Sequence, residues 1–275
     1  MNRPRIAAAA LALGSLALLA ACAATPDEPE TEPVAEASGV ALTGELTVYA
    51  AASLQGAFDE LASEFEARHP ELDVLPITYD GSSVLATQLI EGAPADVFAS
   101  ADEKNLAKVS DAGLIDGTGE VFATNVLEIA VAPGNPLDID SLDDLADGAT
   151  TESGGAPATV VLCAPEVPCG TASQTLIEAA GITLTPASEE QNVTAVLTKV
   201  RSGEADAGLV YVTDVEAAAG EVDGIEIDGA DAATNSYPIA VLTGAPNPEA
   251  AAAFTEFVNS ADGQRILASF GFGAP

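Results

Sequence analysis

From residue 46 onward, runs that read as strands alternate with runs that read as amphipathic helices, and this alternation limits the fold more than any other feature. Residues 46–50, 72–78 and 96–99 are short apolar or β-rich stretches, whereas 54–68, 84–91 and 103–112 carry apolar residues at helical spacing. In the first of these helices Leu54, Ala57, Phe58, Leu61 and Phe65 share one face. Such alternation implies a mostly parallel sheet covered by helices. A longer extended run, 121–132, ends at Pro133-Gly134-Asn135-Pro136. The alternation then resumes with a short helix at 141–145, a strand at 159–163 and a helix at 171–180 stopped by Gly181. A helix at 193–201 stopped by Gly203, a strand at 207–212 and a helix at 213–219 follow. A second extended run, 237–242, precedes two closing helices at 249–259 and 262–270. Two βα regions joined by two extended runs describe two lobes linked twice, 43–124 with 240–275 and 125–239. One continuous doubly wound sheet gives a similar string, and in either architecture a ligand sits at strand C-termini facing helix N-termini.

The first 42 residues stand outside this pattern. Arg3 and Arg5 precede an apolar run from 6 to 19 and the small-residue stretch Leu19-Ala20-Ala21-Cys22, the layout of an export signal over 1–21. The run is shorter than the roughly 20 residues a membrane span needs. Leu-Ala-Ala-Cys resembles the bacterial lipoprotein box, in which the cysteine becomes the lipid-modified first residue. Residues 23–39 are mainly Ala, Thr, Pro and Glu, so 22–42 reads as a lipidated cysteine followed by a disordered acidic tether. The expected location is therefore the outer face of the bacterial cytoplasmic membrane, with the lipid on Cys22 as the anchor.

The chain carries a formal net charge of −35, and removal of Arg3 and Arg5 with the leader makes it two charges more negative. That sign argues against nucleic acid and against anionic membrane surfaces as partners. Beyond Cys22 the only cysteines are Cys163 and Cys169. In an exported protein so close a pair is expected as a disulfide, worth roughly 2 kcal/mol on the loop-entropy account. With the single His69 far away in sequence, the two thiolates make a poor zinc set.

One local device recurs. Ala50-Ala51-Ala52-Ser53 ends a strand in small residues and leads into a helix; Tyr79-Asp80-Gly81-Ser82-Ser83 does the same. Pro168-Cys169-Gly170-Thr171 and Gln191-Asn192-Val193-Thr194 open two later helices. Each opening offers unpaired N–H groups and about half a positive charge, and none of the four contains Lys or Arg. Taken singly, Ser53 and Ser82 read equally as N-caps, Tyr211 as a core tyrosine and Val193 as helix core. Taken together, the four openings can hold an anion through neutral donors. A shell of donors favours a tetrahedral oxyanion without protons, because a protonated oxygen also needs an acceptor. Molybdate, tungstate and sulfate qualify; phosphate stays open because Asp80 stands beside Ser82 as a potential acceptor.

Several strings resemble the periplasmic molybdate-binding proteins of ABC importers. These are Thr47-Val48-Tyr49-Ala50-Ala51-Ala52-Ser53-Leu54, Gly81-Ser82-Ser83-Val84-Leu85-Ala86 and Gly92-Ala93-Pro94-Ala95-Asp96-Val97-Phe98-Ala99-Ser100-Ala101-Asp102. Gly208-Leu209-Val210-Tyr211 with Asp214, and Tyr237-Pro238-Ile239-Ala240-Val241, continue the match in order. The resemblance implies an α/β, two-lobed periplasmic-binding-protein fold, each lobe a mostly parallel sheet flanked by helices, with two hinge segments. It implies capture of molybdate, and with it tungstate, for ABC permease subunits by a monomer that is not an enzyme and needs no cofactor. It places first-lobe contacts at Ser53 and Ser82. Second-lobe contacts fall on the backbone of Cys169, the backbone of Val193 and the hydroxyl of Tyr211, with no direct protein ligand to the metal. Cys169 and Asp80 depart from the family's usual small residues at those positions. Another oxyanion, sulfate or phosphate, is the alternative. Ferric iron fits poorly, since the four tyrosines are spread out. Hydrolysis fits poorly too, with His69 the only histidine and no Gly-x-Ser-x-Gly elbow.

Overall fold

The computed structural model describes residues 41–150 and 157–275. The export signal, Cys22 and the tether as far as residue 40 lie outside the described residues. Two five-stranded sheets organise the described residues, each flanked by helices, which is the two-lobed α/β arrangement expected from the sequence. Across the first sheet the order is Thr78–Asp80, Val48–Ala51, Val97–Ala99, Asn235–Val241 and Glu120–Asn125. Its first three strands are parallel, and Asn235–Val241 runs antiparallel to both neighbours. The second sheet mirrors this arrangement. Asp223–Glu226, Leu127–Val131, Ala207–Tyr211, Val160–Cys163 and Ser188–Glu190 lie in that order, the last three parallel.

The first extended run crosses between the sheets, whereas the second falls on the single strand Asn235–Val241 of the first sheet. The first divides into Glu120–Asn125 in one sheet and Leu127–Val131 in the other, so the chain changes sheets at Val126. Asn125 marks the place: its side-chain amide donates to Thr213 Oγ1 at 2.8 Å. The returning strand pairs with the first sheet from Asn235, opposite Asn125, ahead of residue 240. The expected strand at 72–78 is two strands, because Pro76 lacks the N–H that a continuous ladder needs. Leu72–Val74 instead pairs with Gly44–Leu46 in a small separate sheet.

The first lobe is held by Phe58, Phe65, Phe122 and Phe254, all buried. Phe58 lies 5.7 Å from Phe122 and 6.1 Å from Phe254, centroid to centroid, and Phe65 lies 5.3 Å from Phe254. Helices Gln55–Arg68 and Pro248–Asn259 supply three of these rings, so the last part of the chain packs against the first helix. The expected five-residue stripe of that helix forms as read, with Leu54, Ala57, Phe58, Leu61 and Phe65 all buried.

In the second lobe the interior strand Leu127–Val131 carries a buried carboxylate, Glu128, cross-strand from Glu226. Burial, then Glu216 and Glu226, pushes its pKa up from the usual 4.5 to about 7. The folded state thus holds this proton where the unfolded chain releases it. Stability falls as pH rises through the window from 4.5 to about 7 and stays lower above it. Glu128→Gln is expected to raise Tm at pH 8 by about 2–4 °C, corresponding to about 1 kcal/mol, and to leave Tm at pH 4 nearly unchanged. Thermal melts at the two pH values check this.

Candidate functional site

A small cavity lies where the two sheets face each other. Its walls are Ala51, Ala52, Ser53, Gly81, Ser82 and Ala101 from the first lobe, with Val167, Pro168, Cys169, Val193 and Tyr211 from the second. Every one of the six parallel strands delivers a piece of this wall at its C-terminal end. In α/β sheets that is the edge where helix N-termini converge. The five residues singled out from sequence, Ser53, Ser82, Cys169, Val193 and Tyr211, are brought to one cavity although they come from distant parts of the chain. The cavity volume is about 10 Å³. That is room for about one water-sized sphere, so the two walls stand close together, and it lies far below the roughly 300–1,000 Å³ of organic-ligand pockets. No cationic and no carboxylate side chain is part of the wall.

Ser53 is not an N-cap. It sits inside the 3-10 turn Ala52–Leu54, whose cap residue is Ala51. Its hydroxyl instead lies 3.0 Å from Tyr237 Oη. Burial holds the Tyr237 phenol well above its usual pKa, so the phenol keeps its proton. When that proton is donated to Ser53 Oγ, the serine's own proton is free to point at a solute. Ser82 is arranged to the same end. It opens helix Ser82–Ile90, and its Oγ accepts the Ala101 N–H at 2.9 Å, leaving the hydroxyl proton available. Ser83, the neighbouring serine, is buried with Oγ unpartnered but is not in the cavity wall.

On the second lobe, helix Pro168–Ala180 begins with proline at its first position, where the missing N–H is no loss. Cys169 follows as a first-turn residue with no intrahelical acceptor for its N–H. Its sulfur is bonded to that of Cys163, with Cα atoms 5.7 Å apart, which ties the helix start to the end of strand Val160–Cys163. Gly170 makes this closeness possible, since a Cβ there would overlap the backbone oxygens of Cys163 and Ala164. Helix Val193–Ser202 is capped by Asn192, whose Oδ1 accepts from Ala195 N at 2.9 Å. That cap leaves the Val193 N–H, at the first helical position, without a partner in the helix.

Tyr211 ends strand Ala207–Tyr211 and is buried, with Oη lacking a hydrogen-bond partner among the described residues. A buried hydroxyl left unpaired costs about 1–3 kcal/mol, so its placement in the wall of a cavity asks for an acceptor in that cavity. Burial and the neighbouring Tyr237 push its pKa well above the usual phenol value, which makes it a donor throughout the neutral range. Asp214, pushed up by burial to about 7, accepts the Tyr211 N–H at 2.9 Å and fixes the end of the strand.

Two residues that the sequence reading did not assign to the site help build it. Tyr237 positions Ser53 and stacks edge-on against Tyr211 at 5.9 Å; in the sequence it is an apolar-strand residue with no local mark of this role. Val167 lines the cavity ahead of the helix and is buried, an ordinary core residue by pattern. Asp80, expected as a potential acceptor for a protonated oxyanion, is not in the wall. Its Oδ1 accepts from Gly81 N at 2.7 Å and from Asn192 Nδ2 at 2.8 Å.

A family model described as bacterial extracellular solute-binding protein matches residues 46–273. The molybdate-binding protein ModA of Mycobacterium tuberculosis is 43% identical over 257 residues, covering 94% of this chain and 93% of that protein. A putative ABC transporter substrate-binding lipoprotein of Bacillus subtilis, YvgL, is 28% identical and covers 96% of each chain. Among solved structures, the substrate-binding domain of a putative molybdenum ABC transporter from Clostridium difficile superposes with a TM-score of 0.60 at 26% identity. The match covers 84% of this chain and 99% of that one.

Proposed function

The chain belongs to the bacterial extracellular solute-binding protein family, and on that footing we propose that it captures molybdate, and with it tungstate, for an ABC importer. The observation that carries the reading is a small cavity between the lobes, walled by neutral groups, with the Tyr211 hydroxyl, unpaired among the described residues, in its wall. Ser53 and Ser82 would donate from the first lobe. The N–H groups of Cys169 and Val193 and the hydroxyl of Tyr211 would donate from the second. Five donors and no carboxylate in the wall favour an anion that carries no proton, because a protonated oxygen would also need an acceptor. Hydrogenphosphate is disfavoured for that reason, Asp80 being engaged elsewhere. Molybdate rather than sulfate is supported by the printed function of the relative from M. tuberculosis.

The disulfide between Cys163 and Cys169 would form on export and hold the Cys169 amide in direction. Residues 1–21 would be removed as a signal, and Cys22 would carry the lipid that keeps the protein, through its tether, on the outer face of the cytoplasmic membrane. The relative from B. subtilis, named a lipoprotein, supports this anchoring. The reading needs neither catalysis nor a cofactor, and a monomer suffices.

Titration calorimetry decides the substrate. Molybdate and tungstate are expected to bind with sub-micromolar affinity, against −8.2 kcal/mol for a micromolar complex. Sulfate and phosphate are expected to bind at least 100-fold more weakly. Tighter binding of sulfate or phosphate would overturn the assignment.

A further inference from the structure

Asp80 and Asn192 lie 112 residues apart and belong to different lobes. Asp80 ends the edge strand Thr78–Asp80 of the first sheet; Asn192 precedes helix Val193–Ser202 of the second lobe. One carboxylate oxygen, Asp80 Oδ1, accepts both from Gly81 N at 2.7 Å and from the Asn192 side-chain amide at 2.8 Å. The other end of that amide, Asn192 Oδ1, caps its own helix at Ala195 N. A single oxygen therefore joins the starts of two helices, and each helix presents a group to the cavity: Ser82 on one, the N–H of Val193 on the other. A further side-chain hydrogen bond between the lobes, from Asn105 Nδ2 to Glu166 O, is long at 3.5 Å.

We infer that Asp80 and Asn192 form a clasp across the cleft that holds the two halves of the donor shell in register and slows release of the bound oxyanion. The inference rests on the oxyanion reading given above. Asp80 is a positioning residue, since it does not line the cavity. Its negative charge stands close to an anion site and opposes the ligand, so charge and hydrogen bonding make opposite predictions. A clasp needs an acceptor at this position and not a charge. Asp80→Asn retains an acceptor oxygen for both bonds, whereas Asp80→Ala removes it. Asn192→Ser keeps a good N-cap but loses the amide that crosses the cleft.

The test is stopped-flow release from the purified protein, using whichever of molybdate, sulfate and phosphate the unaltered protein binds. A failure of the molybdate assignment is then visible in the unaltered protein and separate from the fate of the clasp. Asp80→Ala and Asn192→Ser are each expected to speed release about tenfold with little change in association rate. The double variant should be no faster than either single one, because the two residues act through one bond. Asp80→Asn should release within about twofold of the unaltered rate. Unchanged or slower release in Asp80→Ala, or full additivity in the double variant, would overturn the clasp. If the unaltered protein binds none of the three ions, small-angle scattering decides: a larger ligand-free radius of gyration in Asp80→Ala supports the clasp, and no change overturns it.

Discussion

Alanine at Gly81 is expected to cost roughly 100-fold in oxyanion affinity, about 3 kcal/mol, without harming the fold. Gly81 precedes helix Ser82–Ile90 with φ −60 and ψ 137, torsions that any residue adopts. Its lack of a side chain is therefore not required by its own backbone. The requirement comes from the opposite lobe. A Cβ at Gly81 would overlap the carbonyl oxygen of Gln191, and its next neighbours would be the Gln191 carbonyl carbon and Val167, all on the far side of the cleft. Backbone on both sides leaves little room for relief. The added methyl group therefore opposes approach of the lobes and leaves each lobe alone undisturbed. Restricting the unfolded chain, alanine should even raise the ligand-free Tm slightly, as substitutions at compatible torsions do by about 0.4–1 kcal/mol. The check is a pair of thermal melts with and without molybdate, supported by calorimetry. The ligand-free Tm should hold or rise while the ligand-dependent gain in Tm largely vanishes. Undiminished affinity in Gly81→Ala would mean that binding does not require Gly81 and Gln191 to meet.

The sequence made the architecture readable because the features that set it are local. The helix stripe through Leu54, Phe58, Leu61 and Phe65 and the stops at Gly181 and Gly203 need only neighbouring residues to be recognised; both glycines take the left-handed conformation at a helix end. What escaped was set at a distance or lacked an apolar signal. Strand Ser188–Glu190 is Ser-Glu-Glu at a sheet edge, with no hydrophobic alternation to betray it. The run through Val126 is uniformly extended in sequence, yet it belongs to two sheets, because the partners that divide it are Asn235–Val241 and Ala207–Tyr211 much later in the chain. The site shows the same division. Four helix openings free of Lys and Arg were visible in the sequence. That Ser53 is turned toward Tyr237 and away from capping its helix depends on a contact between residues 184 positions apart. The engagement of Asp80 with Asn192 is equally non-local, and without it the carboxylate reads as an acceptor for the ligand.

The Tyr211 hydroxyl separates binding from stability more cleanly than the other donors. Tyr211→Phe is expected to weaken molybdate binding by about 1.5–3 kcal/mol, some 10- to 150-fold, because a bound oxyanion oxygen loses a charge-assisted donor. Removal of almost any other buried hydrogen-bonding atom would also destabilise the protein by leaving its partner orphaned. Here Tyr211 Oη is buried and makes no hydrogen bond among the described residues. The ring itself is kept by phenylalanine, including its edge-on contact with Tyr237 at 5.9 Å. The ligand-free variant should thus melt at the same temperature as the unaltered protein or somewhat above it. Ser53→Ala offers the contrast: it removes a donor to the ligand and also strips Tyr237 Oη of its 3.0 Å contact, so affinity and ligand-free Tm should fall together. Because burial holds the Tyr211 phenol far above neutral pH, the loss of affinity in Tyr211→Phe should be the same at pH 6 and pH 8. Calorimetry at both pH values, set beside ligand-free melts of the two variants, reads all of these outcomes. A Tyr211→Phe variant that binds molybdate as tightly as the unaltered protein would take the hydroxyl out of the donor shell and leave its burial without an explanation.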